Sequence, residues 1–139
     1  MHQECIHVYD GACGVQVLSH VSARIADMHA AGLVHCNVKP ANVLWLPGEN
    51  RWGVVDFGRA ARAGGRTPLD FSLAYAAPEA AAALQLQEHD VEAAPALDVW
   101  AVGVLGIELF TGAPAFDILG TGTGRVRLSV GHYPELLRQ

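Results

Sequence analysis

Between residues 35 and 42 the sequence reads His35-Cys36-Asn37-Val38-Lys39-Pro40-Ala41-Asn42, a short polar stretch that carries a cation and two amides. Further along stands a carboxylate, Asp56, followed by Phe57 and Gly58. The residues between them form two apolar runs, Val43-Leu44-Trp45 and Trp52-Gly53-Val54-Val55, separated by Pro47-Gly48. That pattern predicts a β-hairpin. A hairpin folds back on itself, so it returns Asp56 to the neighbourhood of Asn42. An acid and an amide oxygen together with a lysine suit a magnesium–phosphate site. Magnesium takes few hard oxygen ligands from protein and fills its shell with phosphate oxygens and water. Lysine acts on phosphate as a point charge.

The elements that must position these groups are legible on either side. In residues 15–31 the apolar residues Leu18, Val21, Ile25 and Met28 recur at threes and fours, which predicts an amphipathic helix, and Gly32 is a natural stop. Residues 1–14 have no clear period, and residues 59–70, rich in Arg, Gly and Ala, read as a mobile loop. Pro78 and the Ala-rich run to residue 88 predict a second helix. Pro95 reads as a break. A third helix is expected from Asp98 to about Thr111, ended by Gly112 and Pro114. Val99, Trp100, Val102, Val104, Leu105, Ile107, Leu109 and Phe110 make it apolar nearly all round, so it is expected at the centre of the fold.

With the motifs and their order in place, the chain resembles the serine/threonine protein kinases. Residues 35–42 resemble the catalytic loop, Asp56-Phe57-Gly58 the magnesium-holding DFG motif, and Ala77-Pro78-Glu79 the APE motif that closes the activation segment. Asp98-Val99-Trp100-Ala101-Val102-Gly103 resembles the start of the family's central buried helix. The resemblance runs from about residue 15 to residue 116. It implies an α+β fold, the C-terminal lobe of a protein kinase, mainly α-helical with a short β-hairpin. Residues 1–139 would then be a partial kinase domain, with the N-terminal lobe and the late helices absent.

The resemblance also implies roles. Lys39 would steady the transferred phosphate, Asn42 and Asp56 would hold Mg2+, and Leu44 would lie under the adenine of ATP. His35 and Phe57 would stack in an internal spine. Ser72 would bond near the loop, and Asp98 would brace the loop's backbone from below. A protein substrate or protein partner is implied, with a separate or missing N-terminal lobe.

The departures bear on activity. Position 37 is Asp in the family, the base that accepts the substrate hydroxyl proton. Here it is Asn37, and a neutral amide is no proton acceptor. Such bases contribute about 10²–10⁴-fold in rate. Cys36 replaces the Arg that pairs with a phosphorylated activation loop, so Thr67 is expected to be an ordinary loop residue. No Gly-rich phosphate loop and no strand lysine with its helix glutamate occur in the sequence. Glu79 is expected to want an arginine partner, for which Arg125 and Arg127 are candidates. Catalytic roles therefore fall to Asn37 and Lys39, the first with its chemistry altered, and transfer by this chain is expected to be lost. The alternatives are a pseudokinase-type binding module and a kinase-like small-molecule phosphotransferase. The APE-like and Asp-x-Trp segments disfavour the latter.

Composition sets the remaining bounds. The chain has 139 residues, 51% of them hydrophobic, with net charge −5, enough to bury the core of one small domain. No long basic stripe argues for nucleic acid; Arg59, Arg62 and Arg66 read as a solvated loop face. Residues 1–10 are polar where a signal peptide needs an apolar run. The longest apolar stretch, 99–107, falls well short of the about 20 residues of a membrane span. Cys5, Cys13 and Cys36 read as reduced thiols of an intracellular protein. Cys5 and His7 have no second ligand pair at zinc spacing. A lobe cut from its partners is expected to expose apolar surface.

Overall fold

The computed structural model describes residues 11–70, 72–117 and 127–128. Three helices and four antiparallel strand pairs are present among them. Cys5, His7 and Arg125 lie outside the described residues.

Helix α1 (Gly11–Ala30) begins four residues before the apolar period does. It buries Val21, Ile25 and Met28 as the spacing requires, with Val17 fully buried on that side and Leu18, expected there, only partly buried. Gly32, at φ 74°, closes it in the left-handed region. Helix α2 (Pro78–Gln85) opens on its proline. Helix α3 (Pro95–Thr111) starts at Pro95, three residues earlier than expected. That proline occupies the first helical turn, where its missing N–H costs nothing. Asp98 consequently sits inside the first turn, and its carboxylate is free to bond elsewhere. Gly112, at φ 71°, ends α3.

The core lies where α1 and α3 cross and the hairpin closes over them. Val17, Val21, Ile25, Met28, Ala101, Leu105 and Leu109 of the two helices meet Val43, Trp52 and Val54 of the hairpin. Small residues permit the close crossing: a methyl group at Gly106 would lie 3.2 Å from the Leu18 side chain. The hairpin pairs β2 (Val43–Leu46) with β3 (Arg51–Val54) in the register Val43↔Val54, Leu44↔Gly53, Trp45↔Trp52. Alternation turns Val43, Trp45, Trp52 and Val54 toward the helices, and Leu44 and Gly53 to the opposite face. Trp45 and Trp52 meet edge to face at 5.6 Å, and the Trp52 backbone N–H donates to His20 Nδ1.

Two expectations change. Residues 59–70 are not one open loop. Strand β4 (Ala61–Arg62) pairs with β1 (Leu33–Val34), and β5 (Arg66–Pro68) pairs with β6 (Asp90–Glu92). Arg59 and Arg66 are ion-paired to Asp70 and Asp90, so the arginine cluster is largely neutralised. Helix α3 is central yet open on one side. Leu105 is fully buried, but Val99 is 63% and Ile107 50% exposed, with Trp100 and Phe110 also exposed. Among the described residues α1 and the hairpin cover one side, and Leu69, Ala77, Ala80 and Ala83 pack against its first turn at Leu97. A last pair joins β7 (Phe116–Asp117) to β8 (Arg127–Leu128). No described helix is long and apolar enough to cross a membrane.

Candidate active site

The loop between β1 and β2 is held from below by one buried carboxylate. Asp98 is 1% exposed. Its Oδ2 accepts the His35 N–H and its Oδ1 the Cys36 N–H, each at 2.8 Å. His29, in the last turn of α1, approaches the same Oδ2 through Nε2 at 2.9 Å. Cys36 has φ 63°, a left-handed conformation that side chains other than Asn, Asp and Gly rarely adopt. Two charge-assisted hydrogen bonds to consecutive N–H groups offset that backbone cost. Burial, and next the Asp98 charge, push the Cys36 thiol up to about 11, so it stays protonated at neutral pH.

His35 fixes the other side of the loop. Its ring is fully buried, and burial lowers its pKa below 6.5 despite the raising influence of Asp98, the Val55 carbonyl and Asp56. The neutral ring with its proton on Nε2 satisfies both neighbours: Nε2 donates to the Val55 carbonyl at 3.1 Å, and Nδ1 accepts the Asn37 N–H at 3.2 Å. Phe57 meets His35 edge to face at 5.3 Å. One buried imidazole thus ties the loop to the strand end that carries Asp56.

The hairpin brings the polar groups together. The Val55 N–H donates to the Asn42 carbonyl at 2.8 Å, carrying the β2–β3 pairing one step further. Asp56 then turns left-handed at φ 64° and presents an exposed carboxylate. Its Oδ2 accepts from the Asn37 amide and its Oδ1 from the Gly58 N–H, both at a long 3.4 Å. Asn42 is buried, and its amide donates to the Asn37 carbonyl at 2.8 Å. Lys39 lies on the same loop, and its Nζ donates to Ser72 Oγ at 3.1 Å. Leu44 is half-buried on the hairpin face turned away from the core.

Asn37, Asn42 and Asp56 therefore form one connected cluster, with Lys39 on the loop turn between the two amides. Asp56 has no ion-paired cation among the described residues. No group of three His, Cys, Asp or Glu side chains forms a metal cage among them either. A free carboxylate beside a buried amide fits a hard divalent cation that is held jointly with phosphate oxygens. Such an ion would meet Asp56 and Asn42, and when bound would supply positive charge to the phosphates.

Sequence reasoning missed three contacts. His29 reaches Asp98 across 69 positions, and no local signal marks it. The Tyr75 hydroxyl donates to the Glu108 carboxylate, tying the segment before α2 to α3; burial, then Glu108, raise its pKa. Thr67 is a buried strand residue, and its hydroxyl donates to the Arg59 carbonyl at 3.4 Å.

A catalytic-type loop, a hairpin and a left-handed carboxylate over a central helix define a kinase-like α+β lobe. Comparison with known proteins agrees. The family model of the protein kinase domain matches residues 7–127, and the chain belongs to the protein kinase family; the curated relatives it resembles are serine/threonine kinases. The serine/threonine-protein kinase Kist of Mus musculus is 31% identical over 113 residues, covering 72% of this chain and 26% of that protein. The serine/threonine-protein kinase PknL of Mycobacterium tuberculosis is 38% identical over 123 residues, covering 85% of this chain and 27% of the relative. The solved structure of the Cydia pomonella granulovirus kinase PK-1 aligns with a TM-score of 0.61 at 27% identity, over 82% of this chain and 40% of that one. The chain thus spans about a quarter of the length of the curated relatives it matches. Protein kinases in general use ATP and Mg2+ and act on protein substrates.

Proposed function

We propose that residues 15–116 are the C-terminal-lobe part of a serine/threonine kinase-like domain whose family function is ATP-dependent phosphoryl transfer to protein Ser or Thr, and that this chain does not perform the transfer. In this reading Asn42 and Asp56 hold Mg2+, Lys39 steadies the phosphate and Leu44 lines the adenine side. The observation that carries the proposal is the contact from Asn37 to Asp56, 3.4 Å from amide nitrogen to carboxylate oxygen. At the position of the general base stands a group that donates a hydrogen bond toward the metal carboxylate. It has no affinity for the substrate's proton. The same substitution leaves the phosphate-side cluster assembled, which supports retention of nucleotide or partner binding without chemistry. The pseudokinase-type binding module is therefore the second reading, favoured by that contact together with the open face of α3. Either reading places the chain inside the cell, where ATP is at hand and thiols such as Cys13 and Cys36 stay reduced.

The test is phosphoryl transfer from labelled ATP to a serine/threonine peptide library. Wild type and Asn37→Asp are assayed alone and joined to a kinase N-terminal lobe. Wild type is expected to be inactive in both forms. The variant is expected to gain activity only when joined. The base returns about 10²–10⁴-fold, whereas losing the oriented phosphate contacts forfeits about 7–11 kcal/mol. Transfer by the joined wild type would show that Asn37 supports catalysis and end the proposal.

A further inference from the structure

Residues 61–69 are gripped from two sides. On one side β4 pairs with β1, and the Ala63 N–H donates to the Gly32 carbonyl at 2.9 Å. On the other side β5 pairs with β6 in the register Arg66↔Glu92, Thr67↔Val91, Pro68↔Asp90. Backbone bonds carry that pairing past both ends of the strands. The Gly64 N–H donates to the Ala93 carbonyl at 3.0 Å, the Ala93 N–H to the Gly65 carbonyl at 2.8 Å, and the Leu69 N–H to the His89 carbonyl at 3.1 Å. A tight turn joins the two grips. Gly64 is left-handed at φ 81°, and a methyl group on Gly65 would lie 2.9 Å from the Arg62 carbonyl oxygen. Alternation sorts the side chains of β5. Arg66 points outward and donates from Nε to Asp90 at 2.7 Å. Thr67 is buried, as is Leu69 just beyond the strand, which packs on Ala77, Ala80, Ala83 and Leu97. With Cys36, Ser72, Tyr75 and Asp98, Thr67 lines a cavity of about 30 Å³, room for one or two waters. Among the described residues lining it none is a cation, and Asp98 is an anion. The guanidinium groups of Arg59 and Arg66 are paired with Asp70 and Asp90, and Lys39 is bonded to Ser72. The neutral Thr67 hydroxyl donates to the Arg59 carbonyl at 3.4 Å, whereas a charge placed there would be buried beside Asp98 without a partner.

We propose that residues 64–69 and 89–93 form a clasp that the unmodified chain closes by itself and that negative charge on Thr67 opens. Closed, the clasp delivers the chain to Ser72, whose Oγ accepts from Lys39 Nζ at 3.1 Å, and to Tyr75, whose hydroxyl donates to Glu108. Lys39 is thereby held in place without any covalent mark. Negative charge arrives when a kinase moves the γ-phosphoryl group of ATP onto Thr67 Oγ1. The new O–P bond forms as the bond to ADP breaks, and the hydroxyl proton is lost together with its bond to the Arg59 carbonyl. The closed clasp shields that hydroxyl, so the transfer takes place on an open form and the phosphate then holds it open. Modification at Thr67 thus disorders the segment rather than ordering it, and frees Lys39 from Ser72. None of this requires that the chain itself transfers phosphate.

The experiment is amide hydrogen exchange, read by NMR on the full 139-residue chain shown by mass to be unmodified. The Gly64, Leu69 and Ala93 amides are expected to exchange about a hundredfold or more slower than in an unstructured chain. In Thr67→Glu they are expected to exchange severalfold faster than in wild type, while the Val55 amide of the hairpin is unchanged. Thr67→Val, uncharged and of similar size, is expected to keep them slow. Unprotected amides in wild type overturn closure. Exchange in Thr67→Glu equal to or slower than in wild type overturns opening by charge, and fast exchange in Thr67→Val assigns the effect to the lost hydroxyl and overturns it too. If circular dichroism shows Thr67→Glu unfolded, the same change is made together with the cysteine pair Arg66→Cys, Glu92→Cys, two exposed positions opposite each other across the clasp. Oxidised, this chain is expected to fold with a disulfide between 66 and 92, and on reduction the three amides are expected to exchange severalfold faster. Failure of the disulfide to form in the cysteine pair with Thr67 retained, failure of the oxidised Thr67→Glu chain to fold, or unchanged exchange after reduction refutes the proposal.

Discussion

Replacing Asn37 by Asp places a second carboxylate where an amide now donates to Asp56. The two interacting atoms are 3.4 Å apart, Asn37 buried and Asp56 exposed. With water reaching one member, an effective dielectric constant of roughly 40–80 gives a repulsion of about 1–2 kcal/mol. Loss of a long amide–carboxylate hydrogen bond adds about 0.5–1 kcal/mol. Asn37→Asp is therefore expected to destabilise the fold by about 1.5–3 kcal/mol at neutral pH without divalent cations. Like charge raises a carboxyl pKa in the folded state, so the penalty is present at neutral pH and is relieved as pH falls through the carboxylate range near about 4. Mg2+ supplies the opposite charge and is expected to relieve it as well, whereas wild type, with one carboxylate, responds less. Urea unfolding of both proteins, with and without Mg2+ at pH 7, measures the difference. If the variant matched wild type without Mg2+ and did not respond to it, the two side chains would not share one site.

Asp98→Ala is expected to cost about 3–5 kcal/mol, because it orphans the buried N–H groups of His35 and Cys36 and frees the left-handed turn. Urea unfolding gives the cost, and faster hydrogen exchange at these two amides gives its location. Val104→Asp puts an unpaired charge at a buried position of α3 and is expected to cost on the order of 3–5 kcal/mol, read as a lowered thermal midpoint. His35 is buried neutral with a pKa below 6.5. As pH falls below about 6.5 the unfolded chain takes up the proton first, so stability is full above that pH and declines on the acid side. The thermal midpoint of His35→Phe is expected to change less between pH 7.5 and 5.5 than that of wild type; an equal slope would clear His35 of that role.

Much of this site could be read from the order of residues alone. The α1 period, the hairpin and the pairing of its apolar runs are local, decided by side chains a few positions apart and by the turn between them. The proximity of Asp56 to Asn42 follows from the hairpin itself, and the roles proposed for Lys39, Asn42 and Asp56 rest on motif resemblance. Local rules misplaced the start of α3, since Pro95 serves equally as a breaker and as a first-turn residue, and only the surrounding chain decides which.

The sequence by itself determined the type and order of the main elements, the presence of the loop and its carboxylate, and the amide at position 37. Each is a property of residue identity or of short-range periodicity. Tertiary structure alone decided that His29 and two backbone N–H groups converge on Asp98, that His35 is the neutral tie between loop and strand, and that residues 61–68 are held by strands 33–34 and 90–92. It also decided that α3, apolar nearly all round, leaves Val99, Ile107 and Phe110 exposed among the described residues. Hydrogen bonds and burial depend on which distant segments meet, and a pattern of period two or 3.6 carries no information about the partner across the gap.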